Sequence, residues 1–267
     1  MDLEDIRDSI PDGQKFRDRV PVNVLRYLDF LNSISAKGTF FVVGRSARAH
    51  PDLIQEIQNQ GHEIACHSDM HDSLDIHSQS SFYKDLERNV ESLIKAGARD
   101  IIGFRAPVFS MTHQTRWTYQ VMKKLGIQYS SSVLPAKNPL FGWDGFGDQI
   151  KTVDGVVEIP MALYPRPFPR IPVAGGIYFR VMPFNIVRSG IKSLFNKGLP
   201  VQTYLHPFDI DCEQERFMQP NINENSFYNY LMYVGRRKVL SKLTYLSNKY
   251  KFTSYRDYLK DRSMHYE

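Results

Sequence analysis

Cysteine is almost absent from this chain, with only Cys66 and Cys212 among 267 residues. A disulfide framework or a zinc knuckle needs paired, closely spaced thiols, so neither is available and both cysteines are expected to be reduced. Cys66 closes a short apolar run and reads as a small buried hydrophobe rather than a ligand. The start carries no charged-then-apolar leader, and nowhere do about 18 apolar residues follow one another, so no transmembrane segment is expected. A cytoplasmic protein is therefore expected, provided the given start is the natural one. Internal repeats and low-complexity tracts are missing. Charge of one sign is not concentrated either: 34 Lys and Arg against 29 Asp and Glu leave a net charge of +5. The densest basic run, Gly235-Arg236-Arg237-Lys238, is expected on a helix as a solvated face, and no nucleic-acid partner is predicted.

What is present suffices for a large core, since 42% of residues are hydrophobic and 13% aromatic. Apolar positions Val20, Val24, Leu25, Leu28 and Leu31 predict a helix over 18–34, followed by a buried strand over 39–44. Pro51 suits a first helical turn, Leu53, Ile54 and Ile57 form its stripe, Gly61 stops it, and a strand over 62–66 follows. Ser81 is read as the cap of a helix reaching about Ala96, with the next strand over 101–104. A helix near 114–125, strands at 127–130 and 156–159, a helix near 183–196 and a strand at 201–205 continue the alternation. Region 223–260 reads as one long helix plus a short capping one. Such alternation predicts an α/β fold with parallel strands, in one domain spanning 1–267. Segment 133–180, rich in Pro and Gly, breaks the rhythm and is expected to be an irregular insertion over a site.

The most specific short pattern is His67-Ser68-Asp69-Met70-His71, two histidines four apart at the carboxyl end of the 62–66 strand. That spacing lets two imidazoles reach one divalent metal, and strand ends are where chemistry gathers in α/β proteins. Ser68 stands where zinc metalloprotease helices carry a glutamate, so a base and a third ligand must come from elsewhere.

Four more clusters fall at the ends of expected strands: Asp2-Leu3-Glu4-Asp5, Arg105-Ala106-Pro107-Val108-Phe109-Ser110, Ser130-Ser131-Ser132 and His206-Pro207-Phe208-Asp209. With His67 to His71, and with Ala174-Gly175-Gly176-Ile177-Tyr178-Phe179-Arg180, the set resembles the polysaccharide deacetylases, the NodB-type carbohydrate esterases. It is closest to their exopolysaccharide-associated subgroup. The resemblance implies a distorted (β/α) barrel of about seven parallel strands and a hydrolase that removes N-acetyl groups from sugars of a polysaccharide or glycan precursor. It also implies a divalent metal, preferably zinc, with cobalt, nickel or iron compatible. The partner would be an N-acetylated glycan; oligomeric state stays open.

Carried over by residue, the resemblance makes Asp2 the base, Glu4 or Asp5 the carboxylate ligand, His67 and His71 the imidazole ligands and His206 the acid. Arg105 would pair with the catalytic aspartate and keep it ionised. Strand alternation puts Asp2 and Glu4 on one face, which favours Glu4 over Asp5. Pro107 and Phe109 read as turn and core residues. Only Met1 precedes Asp2, so either the first strand is truncated or its start misassigned, or the acidic residues open a helix, where they suit the dipole. Ser130 stands where the subgroup carries an aspartate, so any support for the site there must come from water or another carboxylate. Asp209 and Phe208 replace a glutamate and a tryptophan. Two rival readings remain: a hydrolase of another, cyclic or small, amide, and an inactive glycan-binding barrel. Whether Tyr164, Phe168, Tyr178 and Phe179 frame a long groove or a closed cavity separates the first of these from a glycan enzyme.

Overall fold

The computed structural model describes residues 1–138, 140–165, 167, 169–219 and 222–263. Seven strands form one sheet: β1 (Asp2–Leu3), β2 (Thr39–Val42), β3 (Glu63–Cys66), β4 (Gly103–Phe104), β5 (Tyr129–Ser130), β6 (Lys151–Val153) and β7 (Val156–Glu158). Their order is β1-β2-β3-β4-β5-β7-β6, parallel from β1 through β7, with β6 antiparallel at the edge. This is the expected α/β fold of mostly parallel strands, consistent with a distorted barrel. At the acidic start both elements occur: Asp2 pairs with Phe41 and Leu3 with Val42 in a strand, their side chains buried, and Asp5 caps a 3-10 helix over Ile6–Ser9.

The connecting helices follow the apolar spacing. Helix α1 (Val20–Ser33) opens with Pro21 in its first turn and buries Val20, Val24, Tyr27, Leu28 and Leu31. Next come α2 (Gly44–Ala49) and α3 (Pro51–Asn59), the latter burying Leu53, Ile54 and Ile57. Helix α4 (Gln79–Lys95) is capped by Ser78, not Ser81; Ser81 instead completes a reciprocal capping box from the first turn. After it come α5 (Thr118–Lys124), α6 (Gly176–Val181) and α7 (Phe184–Phe195). One apolar cluster joins β-strand and helix residues from Met1 to Leu246.

Several expected boundaries shift for identifiable reasons. Only the last two residues of the expected 101–104 and 127–130 strands enter the ladder. Their close crossing needs Gly103, where a Cβ would lie 2.3 Å from the Tyr129 ring. Within 133–180 the Asp154-Gly155 turn, with φ of 50° and 89°, joins the expected strand, now β7, to an unexpected antiparallel β6 in a hairpin. The expected strand at 201–205 is absent from the sheet. It touches the edge strand β1 through one bond, Leu205 O accepting from Asp2 N at 2.8 Å, while Tyr204 O turns away to accept from Gly176 N at 3.0 Å, so no ladder forms.

The long helix expected within 223–260 is broken into α8 (Ser226–Leu231) and α9 (Val239–Ser247), while the short one expected after it is α10 (Tyr255–Ser263). Gly235 makes the break at φ 80°, packed so closely that a Cβ would meet Arg180 O at 2.5 Å. The basic run beside it forms a 3-10 turn, with Arg236 buried rather than solvated. No helix among the described residues is long and apolar enough to cross a membrane.

Candidate active site

The carboxyl ends of β1, β3 and β4 meet the turn after Leu205, and this junction gathers most of the residues singled out from sequence. Glu4 follows β1 directly. His67 follows β3, and its backbone N donates to Val42 O and to Asn89 Oδ1, each at 3.1 Å. The motif then makes a tight loop rather than a helix, with Ser68 and His71 both at φ 66°. Ser68 makes that loop possible: its Oγ accepts from His71 N at 3.1 Å and Asp72 N at 3.3 Å. Asp69, also buried, pairs with Arg48 and Arg88, while Asp85 accepts from its backbone N at 3.1 Å. The loop is thus tied to α2 and α4, and the two imidazole centroids lie 5.0 Å apart.

Glu4, His67 and His71 each offer one ligand atom, and those atoms lie within 4.8 Å of one another. Asp5 stands outside this trio, its carboxylate taken by Arg7 at 2.6 Å. The donor set suits a divalent ion on chemical grounds. His67 Nδ1 lies 2.8 Å from Arg105 O, which accepts its proton and leaves Nε2 free as a ligand. Burial, despite Asp2 nearby, lowers the His67 pKa to about 4 and keeps the ring neutral, as a ligand must be. Burial raises the pKa of Glu4, yet His71 beside it outweighs this and holds the carboxylate at about 2. Burial likewise works against a proton on His71, but Glu4, with Oε2 2.6 Å from Nε2, raises its pKa. A cation between the two would displace that proton.

Two further pairs flank the trio. Asp2 is buried, and its Oδ1 accepts from Arg105 Nη1 at 2.5 Å. Burial alone would push its pKa up; Arg105, with help from His67 and His206, holds it at about 2. His206 presents Nε2 3.6 Å from Glu4 Oε1 and 4.0 Å from Asp2 Oδ2. Its Nδ1 is 2.8 Å from Asp209 Oδ2, and the ring stacks on Phe208 at 4.7 Å. Burial disfavours the imidazolium, but Asp209 more than compensates and raises the pKa to about 9. Asp209 is itself held by Arg180 Nε at 2.7 Å, whose Nη1 donates to the carbonyls of Leu231, Met232 and Val234.

Arg180 and Asp209 had been quoted from sequence only as parts of motifs, and nothing in their spacing shows that they meet. Glu158 on β7 lies beside Ser130 and accepts from the backbone N of Ser132 and Val133 at 2.8 and 2.9 Å. Phe109 packs edge-on against Tyr204 as a core residue, in line with its reading. Of the proposed groove residues, Tyr164 and Phe179 are buried in the core, Tyr178 is half-buried, and Phe168 lies outside the described residues. A cavity of about 400 Å³ lies at the opposite end of the strands, where Met1, Thr39 and Tyr255 line it and Glu4, His67, His71 and His206 do not.

An α/β protein that converges a carboxylate–imidazole trio, a buried Asp–Arg pair and an Asp-supported histidine at its strand ends has the equipment of a hydrolase. Residues 12–130 match the polysaccharide deacetylase family, and residues 131–260 match a domain of unknown function, DUF3473. The two matches lie end to end, the polysaccharide deacetylase model over the first part of the chain and the domain of unknown function over most of the rest. It is 31% identical over 106 residues to peptidoglycan-N-acetylmuramic acid deacetylase PdaA of Bacillus subtilis (strain 168), covering 39% of this chain and 38% of that protein. It is 30% identical over 159 residues to peptidoglycan deacetylase-like protein FGM2 of Gibberella zeae, covering 58% of this chain and 45% of that protein. The chain thus spans less than half the length of these curated relatives. A solved Mycobacterium smegmatis structure, 23% identical, superposes with a TM-score of 0.59 over 87% of this chain and 73% of that one, and so shares the fold.

Proposed function

We propose that this protein is a metal-dependent de-N-acetylase that hydrolyses the acetamide of an N-acetylated sugar in a polysaccharide or glycan precursor, releasing acetate. The observation that carries the reading is the meeting of Glu4, His67 and His71 between an ionised Asp2 and a protonated His206. The glycan deacetylase names of the relatives point to the substrate class.

Glu4, His67 and His71 would hold a single divalent ion; two imidazoles and a carboxylate suit zinc, and cobalt, nickel or iron are compatible. When bound, such an ion acidifies water and polarises the acetamide carbonyl. Asp2 takes the proton of the attacking water, and Arg105 keeps Asp2 ionised and fixed in direction. His206 holds its proton at Nε2 and delivers it to the departing amine nitrogen. Asp209 accepts from Nδ1, which sets the tautomer and steadies the imidazolium.

Metal content measured together with acetate release from N-acetylglucosamine oligomers tests the reading. One metal per chain with acetate release is expected. Full-length, metal-loaded protein that turns over no acetylated glycan would overturn it, and turnover of a cyclic or small amide alone would move it to that neighbouring chemistry.

A further inference from the structure

The Arg105 guanidinium is buried, so each of its donors needs a partner within the protein. Nη1 serves Asp2, and Nε donates to Ser131 O at 3.1 Å. Nη2 donates to the hydroxyl of Tyr255 at 2.6 Å and only weakly to Ser131 Oγ at 3.3 Å. Tyr255 is the first residue of α10, far along the chain from Asp2. We propose that Tyr255 is a positioning residue for the reaction, its hydroxyl fixing the Arg105 fork and, through it, the carboxylate of Asp2.

The way α10 is attached supports this. Tyr255 N donates to Thr39 Oγ1 at 2.9 Å and Arg256 N to Glu63 Oε2 at 3.0 Å, so the helix begins pinned to β2 and β3. Glu63 also accepts from Tyr129 OH at 2.8 Å and from Thr39 Oγ1 at 2.5 Å. The Tyr255 ring lies parallel to that of Tyr129 at 5.7 Å and edge-on to Phe41 at 5.4 Å. Phe41 in turn carries the guanidinium 4.1 Å above its face. Guanidinium position is therefore set by an aromatic platform below and the hydroxyl to one side. A residue that merely plugged the lower end of the strands would need the ring and no hydroxyl.

Tyr255, Ser131 and His206 all fall within 131–260, the stretch matching a domain of unknown function. Its contribution, on this view, is to complete the site begun by the strands before it. The proposal rests on the reading of Asp2 as the base of a deacetylase.

Tyr255→Phe removes the hydroxyl and keeps the ring, and the test compares it with wild type in full-length, metal-loaded protein. A charge-assisted hydrogen bond lost at this point is expected to lower kcat by about tenfold, with KM within about twofold and metal content unchanged. The Nη protons of Arg105, buried and hydrogen-bonded to Asp2 and Tyr255, should be sharp by NMR in wild type and broaden in the variant. Unchanged kcat with a lowered Tm would make Tyr255 a packing residue only and overturn the proposal. If wild type itself releases no acetate, the deacetylase reading fails separately, and the Arg105 signals decide alone: unchanged Nη protons in Y255F overturn the anchoring.

Discussion

Arg105 Nη1 and Asp2 Oδ1 lie 2.5 Å apart although 103 residues separate them in the chain, and both side chains are at most 3% exposed. A buried ion pair of this kind is costly to assemble and costlier to break, so it marks a carboxylate that must stay ionised. Asp2→Asn keeps the shape and removes the charge. It is expected to lower kcat by about 10²–10⁴-fold, the usual share of a general base, while one metal per chain remains. Acetate release and metal analysis on the same sample check this; a variant that retained full turnover would remove Asp2 from the mechanism.

The carboxylate ligand can be assigned by substitution. Glu4→Ala and His71→Ala should each abolish metal retention through gel filtration. Asp5→Ala should keep the metal and lose only its ion pair with Arg7, since Asp5 lies outside the trio. Equal metal loss in the Asp5 variant would reverse the preference for Glu4.

Asp209 is wedged between His206 and Arg180. Asp209→Asn should leave His206 without the group that fixes its tautomer and should strand a buried Arg180 without its counter-charge. A loss of kcat of about 10²-fold or more is expected, together with a lowered Tm. Steady-state kinetics and thermal melts read the two effects separately; unaltered kcat would count against His206 as the proton donor.

His62 gives a pH dependence unrelated to catalysis. It is fully buried, accepts from Gly38 N at Nδ1 and has no partner at Nε2 among the described residues. Burial, with Lys37 nearby, lowers its pKa from 6.5 to about 4. The unfolded chain therefore takes up the proton first. The stability tied to a neutral His62 is fully present above pH 6.5 and is lost as pH falls from there towards 4, by up to ~3 kcal/mol. His62→Gln keeps an acceptor for Gly38 and should flatten the urea-midpoint profile between those pH values. A profile as steep as wild type would show that other groups carry the acid sensitivity.

Much of the site was legible because its chemistry sits in short local patterns. His67 and His71 belong to one loop, and Ser68 between them bonds that loop shut. Glu4 over Asp5 followed from strand alternation after Asp2, and the distances agree with it. The positions of Arg105 and His206 at strand ends were legible too, because strands end where apolar runs stop. Asp209, Arg180, Glu158 and Tyr255 were not legible as partners. Each acts through a contact between segments far apart in the chain, and no spacing in the sequence encodes such a distance.

The sequence by itself determined the alternation of helices and strands, the residue types able to hold a cation and move protons, and the resemblance those motifs carry. It did so because periodicity, caps and motifs are properties of neighbouring residues. Only the tertiary structure decided that Asp2 and Leu3 pair with β2, that 201–205 lies outside the ladder, and that Gly235 breaks the expected long helix. Those outcomes depend on which backbone groups find partners across the fold. The ionisation of Asp2 and His206 was decided there as well, because burial and the nearest opposite charge, Arg105 for one and Asp209 for the other, exist only once the chain is packed.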